Sequence, residues 1–257
     1  MTEPAEPNAA VRTDAFLGGR LHLRQPVRGH RAGTDALLLA AAGPQGFAGR
    51  AADLGAGIGV VGLAFALRER GCRMSLVEVE PGLCRLAAEN ARANGLAERV
   101  EVIEADVLAS GKGRREAGLA ADAFDLVLTN PPFDDAGRGR PSPDPARRLA
   151  HLSAAGDLEA WFGTAAVLLR PKGRFIAILR ADGLSRALSA LGPAFGGVTV
   201  LPIHPRDGVP ATRILLRAVR ASRAPLAIAP GLVLHAADGA FVPRVEAMHR
   251  GDAALAW

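Results

Sequence analysis

The stretch Arg50-Ala51-Ala52-Asp53-Leu54-Gly55-Ala56-Gly57-Ile58-Gly59 decides the fold, because the apolar helical pattern of Val60 to Arg70 follows it directly. A short apolar lead, a carboxylate, a glycine-rich turn and then a helix make the opening unit of an α/β sheet. Glycines permit a tight turn and let backbone come close to a ligand, and the start of the helix adds free N–H donors. The spacing is G-x-G-x-G, and the third glycine of a dinucleotide loop is missing. That weakens a nicotinamide oxidoreductase reading, for which no hydride-transfer residue follows either. Taken alone, the stretch also suits a glycine turn with no ligand.

Downstream, Glu78 closes the apolar run Met74-Ser75-Leu76-Val77. It lies about 25 residues beyond Asp53, near the offset of a ribose-binding carboxylate. Glu80, just before Pro81, reads better as a helix cap or a solvated side chain. Pro81 to Ala93 predicts a helix that ends near Asn94-Gly95. Val100 to Ile103 predicts the third strand. Asp106 follows it, and on local grounds it is equally a turn or cap residue. Further on come a helix over Asp157 to Leu169 with Trp161, Ala165 and Leu168 on one face, a turn at Pro171-Lys172-Gly173, a strand over Arg174 to Leu179 and a helix over Asp182 to Leu191. Val198 to Ile203 and Thr212 to Val219 read as an antiparallel last pair. His204 and Arg213 beside it either face a substrate or are simply solvated. Leu232 to His235 and Phe241-Val242 read as a hairpin around Asp238-Gly239.

The apolar run Phe124 to Thr129 leads into Asn130-Pro131-Pro132-Phe133. This ending puts a side-chain amide, a stiffened turn and a flat ring at the carboxyl end of a strand, the edge at which open α/β sheets bind ligands. A Pro-Pro turn with Phe133 folded into the core is the plainer alternative. The tetrapeptide resembles the catalytic motif of the amino-methyltransferases, which move a methyl group from S-adenosylmethionine to a planar nitrogen. The chemistry explains the residue types. Such a nitrogen is a weak nucleophile because its lone pair is delocalised. Asn130 accepts one N–H through its side-chain oxygen, and the carbonyl of Pro131 or Pro132 accepts the other. Phe133 stacks on the base, a contact worth about 1–3 kcal/mol and tolerant of base identity. The methyl donor is already a sulfonium, so positioning does most of the work.

Together, Asp53 to Gly59, Glu78, Asp106 and Asn130 to Phe133 resemble a class I S-adenosylmethionine-dependent methyltransferase. The segment Gly29-His30-Arg31-Ala32-Gly33-Thr34-Asp35, with the apolar run to Ala40, narrows this. It resembles the bacterial family that methylates the exocyclic nitrogen of the adenine beside the anticodon of a valine transfer RNA. The resemblance implies an α/β, Rossmann-like, mostly parallel seven-stranded sheet with an antiparallel last strand. It implies S-adenosylmethionine held by Thr34, Asp53, Gly55, Gly57, Gly59, Glu78, Asp106 and Asn130, with Asp106 on the adenine amino group and Thr34 and Asp35 near the cofactor or the catalytic loop. Protein glutamine methyltransferases and DNA adenine methyltransferases share the Asn-Pro-Pro-aromatic set. The glutamine enzymes usually carry a separate amino-terminal helical domain, for which about 50 residues before the glycine run are too few. Phe133 stands where Tyr is common, and the loop from Asp134 to Ala146 departs from the transfer-RNA enzymes.

Composition sets the outer bounds. The chain has 257 residues, is 49% hydrophobic, carries 31 Lys and Arg against 26 Asp and Glu, and has a net charge of +5. A chain this long can bury one full core. Basic charge suits a polyanionic partner, transfer RNA or another structured RNA, although an arginine-rich composition also follows from a high-GC genome, and solvated loop charges explain the arginine clusters nearly as well. Arg31 before the sheet, with Arg12, Arg20, Arg24 and Arg28, and then Arg138, Arg140, Arg147 and Arg148 after the tetrapeptide, are the candidate substrate contacts. Cys72 and Cys84 lack metal-ligand spacing and read as reduced core thiols of a cytoplasmic protein, with no metal. No signal peptide or membrane span is expected. Residues 1–20 are expected to be loosely ordered and 21–257 to form one methyltransferase domain, with 21–50 covering the site, 51–220 the catalytic sheet and 221–257 an extension. A non-catalytic nucleic-acid-binding module is the remaining rival, and it has no use for an amine cradle.

Overall fold

The computed structural model describes residues 11–27, 33–132 and 154–257, with side chains from Leu158 onward in the last stretch. Its centre is a sheet of seven strands: β3 (Ala48–Leu54), β4 (Gly71–Glu78), β5 (Val100–Glu104), β6 (Phe124–Thr129), β7 (Leu169–Arg180), β8 (Phe195–Arg206) and β9 (Arg213–Arg220). They lie in the order β5-β4-β3-β6-β7-β9-β8. All neighbours are parallel except β7–β9 and β8–β9, so β9 alone is reversed, the last of the seven in the chain. Two short strands, β10 (Ala227–Ile228) and β11 (Leu232–His235), extend the free edge of β8.

Strands buried on both faces read as nearly continuous apolar runs whose successive side chains point to opposite cores. Ala51, Leu76, Leu128 and Ile176 face a core built with Leu38 and Leu39 of α1 (Thr34–Ala42), Leu63 of α2 (Val60–Arg68) and Met248 of α7 (Pro243–His249). Their neighbours Ala52, Val77, Val127 and Phe175 face the opposite core, with Phe162 and Ala165 of α5 (Ala154–Leu168) and Ala187 of α6 (Leu184–Leu191). The helix α3 (Pro81–Ala93) begins as expected: Pro81 is its first residue and the Glu80 side chain caps the amides of Gly82 and Leu83. A short helix, α4 (Gly111–Glu116), precedes β6. Both cysteines are buried, and burial pushes their thiols up to about 12 (Cys72) and about 11 (Cys84).

Two expectations need correction. Residues 11–19 are not loose: β1 (Val11–Phe16) pairs antiparallel with β2 (Leu21–Pro26), and the turn between them buries Leu17. Pro171-Lys172-Gly173 does not separate helix from strand. It is a bulge inside β7, where pairing with β6 slips from Phe124–Leu169 to Leu126–Arg174 and Lys172 takes a φ of 67°. The hairpin around Asp238-Gly239 forms, though it is short: His235 bridges Phe241, with the Ala236 amide donating to the Ala240 carbonyl and the Val242 amide to the Leu234 carbonyl, each at 2.9 Å. Leu232–His235 also joins β8 in parallel, which satisfies an open sheet edge and buries Leu232.

Phe175 lies between Phe162, 4.7 Å away by ring centroids, and Phe195, 5.3 Å away. Phe175→Ala is expected to cost about 3–5 kcal/mol, read as a lower denaturant midpoint at unchanged slope in chemical unfolding.

Candidate active site

The glycine turn leaves β3 at Leu54 and crosses to α2 through three left-handed glycines, with φ of 71° at Gly55, 56° at Gly57 and 90° at Gly59. At two of them more than φ is at stake. A Cβ on Gly59 would lie 2.8 Å from Leu76 Cδ1, and one on Gly55 would lie 3.1 Å from the Trp161 ring. The turn is fastened to the end of β4. The amides of Gly55 and Ala56 both donate to the Val77 carbonyl, at 2.9 and 3.0 Å. The Gly57 amide donates to Glu78 Oε2 at 2.8 Å. Glu78 is buried, and its Oε1 accepts from the amides of Val79 and Glu80 at 2.9 and 3.0 Å. This carboxylate therefore fixes the turn, and of its four lone-pair sites one, on Oε2, is left open.

Asp53 lies beneath the turn, only 1% exposed, where its Oδ2 accepts from the Gly62 amide in the first turn of α2 at 2.9 Å. Burial pushes its carboxyl up to about 7. The Gly62 hydrogen bond opposes the rise and the nearby Glu78 adds to it. So Asp53 braces the turn from below, and a positive charge bound above would favour its ionised form. Asp106, past β5, is exposed, and its Oδ1 accepts from the Leu108 amide at 2.8 Å. Val79 and Leu108, which follow the two carboxylates, are 58% and 37% exposed. Apolar side chains left in water beside Glu78 and Asp106 suit the faces of a flat ring. The sequence signal for them was an apolar residue directly after Glu78 and another two past Asp106.

On the other side of β3, Leu54 is in register with Thr129 of β6, so Asn130 emerges beside Gly55. Thr129 is fully buried. Its Oγ1 donates to the Leu54 carbonyl at 2.8 Å and accepts from Trp161 Nε1 at 3.0 Å. Trp161 thus ties the two strand ends together and packs under the glycine turn. It was legible only as part of an apolar helix face. Asn130 is half-buried, Pro131 buried and Pro132 exposed, and among the described residues nothing engages the Asn130 amide. Thr34, half-buried, opens α1, which lies over β6 and β7. Asp35 beside it accepts from Arg213 Nε at 2.8 Å, pinning α1 to the start of β9. The carboxyl ends of β5, β4, β3 and β6 therefore bring Asp106, Glu78, the glycine turn and Asn130 to one edge.

Phe133, Arg31, Arg138, Arg140, Arg147 and Arg148 lie outside the described residues. Of the other arginines in the first cluster, Arg12 pairs with Asp14, Arg20 with Asp252 and Arg24 with Glu89. His204 Nδ1 meets the Val209 carbonyl at 2.7 Å and closes the β8–β9 loop. Among the described residues no three metal-ligating side chains group together, and no helix is long and apolar enough to cross a membrane.

Residues 31–202 match the model of the methyltransferase small domain. The chain belongs to this family. Two other similarities span most of its length. A relative from Aeromonas hydrophila named tRNA1(Val) (adenine(37)-N6)-methyltransferase is 30% identical over 236 residues, 91% of this chain and 94% of that one. A crystal structure from Agrobacterium tumefaciens, described as a predicted O-methyltransferase, superposes with a TM-score of 0.75 at 33% identity, covering 87% of this chain and 99% of that one. A release factor glutamine methyltransferase from Chlorobaculum tepidum is 31% identical over 156 residues, 58% of this chain and 51% of that one. The chain is an S-adenosylmethionine-dependent methyltransferase with a class I, Rossmann-like sheet.

The residues present fit that cofactor. A Cβ on Gly57 would meet nothing within 4 Å, so the turn borders open space. Among the described residues, the charged side chains that the ends of β3, β4 and β5 bring to it are the carboxylates Asp53, Glu78 and Asp106, which suit a sulfonium better than a pyrophosphate.

Asp53 yields a pH test. Its folded-state value is raised, so between about pH 4 and pH 7 the native protein holds a proton that the unfolded chain has released. Its contribution to stability therefore falls as pH rises through that window and levels off above about 7, by a total on the order of 4 kcal/mol at most. Urea unfolding at a series of pH values should show wild type losing stability relative to Asp53→Asn across this range. A pH-independent difference would refute the assignment.

Proposed function

We propose that this methyltransferase acts on the exocyclic N6 of adenine in transfer RNA, at position 37 as in the relative's name. The observation that carries the reading is the Asn130-Pro131-Pro132 end of β6, set beside the glycine turn with its amide unengaged among the described residues. An aromatic amine offers two hydrogens. The Asn130 side-chain oxygen takes one and a proline carbonyl takes the other, which directs the nitrogen lone pair at the methyl donor. An alcohol has one hydrogen and leaves an acceptor idle, which favours nitrogen over the oxygen in the structural neighbour's description. S-adenosylmethionine, when bound, supplies an electrophilic methyl group. Asn130 and the prolines hold the amine, and Glu78 and Asp106 hold ribose and adenine of the cofactor. As the nitrogen gains methyl it sheds one proton, acidic enough to pass to water without a dedicated base. The target adenine has to leave its stack, at a few kcal/mol, less in a single-stranded loop.

Purified protein with radiolabelled S-adenosylmethionine, offered transfer RNA, total protein or DNA in separate reactions, tests this. Label is expected in transfer RNA as N6-methyladenine. Asn130→Ala should lower the rate by about 10²–10³-fold with the cofactor still bound. Label in protein would transfer the assignment to a glutamine amide, the reading favoured by the similarity to the release factor enzyme.

A further inference from the structure

Asn90 lies on α3, is fully buried, and takes no part in the site described above. Its amide is nonetheless bonded in two directions. Nδ2 donates to the Arg24 carbonyl and to the Ile58 carbonyl, each at 3.1 Å, and Oδ1 accepts from the Arg24 amide at 2.8 Å. Ile58 stands between Gly57 and Gly59 in the glycine turn. Arg24 belongs to β2, the strand whose chain continues towards Thr34. One turn of α3 later, Asn94 repeats half of this pattern. It accepts from the His22 amide at 2.9 Å and donates to the His22 carbonyl at 2.7 Å, and its other contact is the Asn90 carbonyl, not the glycine turn. The two asparagines act as a substitute strand along β2. Four residues of helix rise about 6 Å, close to the roughly 6.8 Å between alternate residues of a strand, so Asn90 and Asn94 meet Arg24 and His22 in register.

We infer that Asn90 is a positioning residue that couples the glycine turn to the amino-terminal hairpin, so that cofactor seated on the turn steadies β2. The inference rests on the turn being the cofactor cradle. Its physical basis is that one planar amide serves both partners. If the Ile58 carbonyl shifts, the amide plane turns, and the Arg24 pair bends or breaks. A ligand that holds Ile58 still therefore holds Arg24, and an ordered hairpin in turn presets the turn for the ligand. Asn94 supplies the internal control, because it anchors the same strand without touching the turn.

The test is hydrogen exchange of the full-length protein with and without saturating S-adenosylmethionine, alongside calorimetric cofactor binding. In wild type, cofactor should slow exchange of the His22 and Arg24 amides. Asn94→Ala should exchange faster at His22 yet keep the cofactor response at Arg24, with cofactor affinity within about twofold of wild type. Asn90→Ala should lose the response at Arg24 even when saturated, and bind cofactor at least about fivefold more weakly. If Asn90→Ala folds poorly, Asn90→Asp keeps the shape but has at most one O–H donor, so it cannot bond the Ile58 and Arg24 carbonyls together, and it should give the same loss. A cofactor response absent from wild-type β2, retained without Asn90, or lost equally in Asn94→Ala overturns the coupling. Failure of wild type to bind S-adenosylmethionine would instead remove the cradle reading, which the calorimetry reports separately.

Discussion

The edge that carries the chemistry depends on the fastening of the glycine turn to the end of β4. Gly55, Ala56 and Gly57 present consecutive amides, and Val77 and Glu78 receive all three. Free amides on a tight turn would be poorly directed. Here the bond from Gly57 sets the Glu78 carboxylate, and the same carboxylate holds the amides of Val79 and Glu80. Glu80 then caps α3, and α3 presents Asn90 and Asn94 to β2. A chain of hydrogen bonds thus runs from the turn through one strand end and one helix to the amino-terminal hairpin. Loss of the left-handed geometry at Gly59 would disturb every member of it.

Much of this edge was legible in the sequence because its parts are local. Positive φ favours glycine, so the turn was visible as Gly55, Gly57 and Gly59. The bounds of α3 could be read because cap, proline and terminal glycine each act within a few residues. What escaped joins residues far apart in the chain. Trp161 meets Thr129 across 32 positions, Asn90 meets Arg24 across 66, and Arg213 meets Asp35 across 178. No periodicity encodes such partners. Arg20 shows the same limit. It belonged to a cluster that read as an anion-binding rim, yet its guanidinium meets Asp252, a residue 232 positions away. The slipped register of β7 was hidden for a different reason: Pro171 and Gly173 signal a break in regular pairing but do not say whether the strand stops or bulges.

The reversed strand has an electrostatic consequence. Among parallel strands only carboxyl ends reach the ligand edge, and here β4 and β5 deliver Glu78, Glu104 and then Asp106 to it. Because β9 runs the other way, it brings its first residue, Arg213, to that edge, level with Arg180 at the end of β7 and beside the exposed Arg206 that ends β8. Among the described residues the edge is thereby polarised, acidic over β4 and β5 and richer in cations over β7, β9 and β8, with Asn130 between them at the end of β6. The first half suits a sulfonium, and the second suits the phosphate backbone of the proposed RNA substrate. Arg213 and Arg180 are each engaged by a carboxylate, Asp35 and Asp182, so their guanidiniums are held in place and partly neutralised. The net charge of +5 says little about where an anion would sit. The reversal of one strand says more, because it fixes which end of the sheet, and which half of that end, carries the positive side chains.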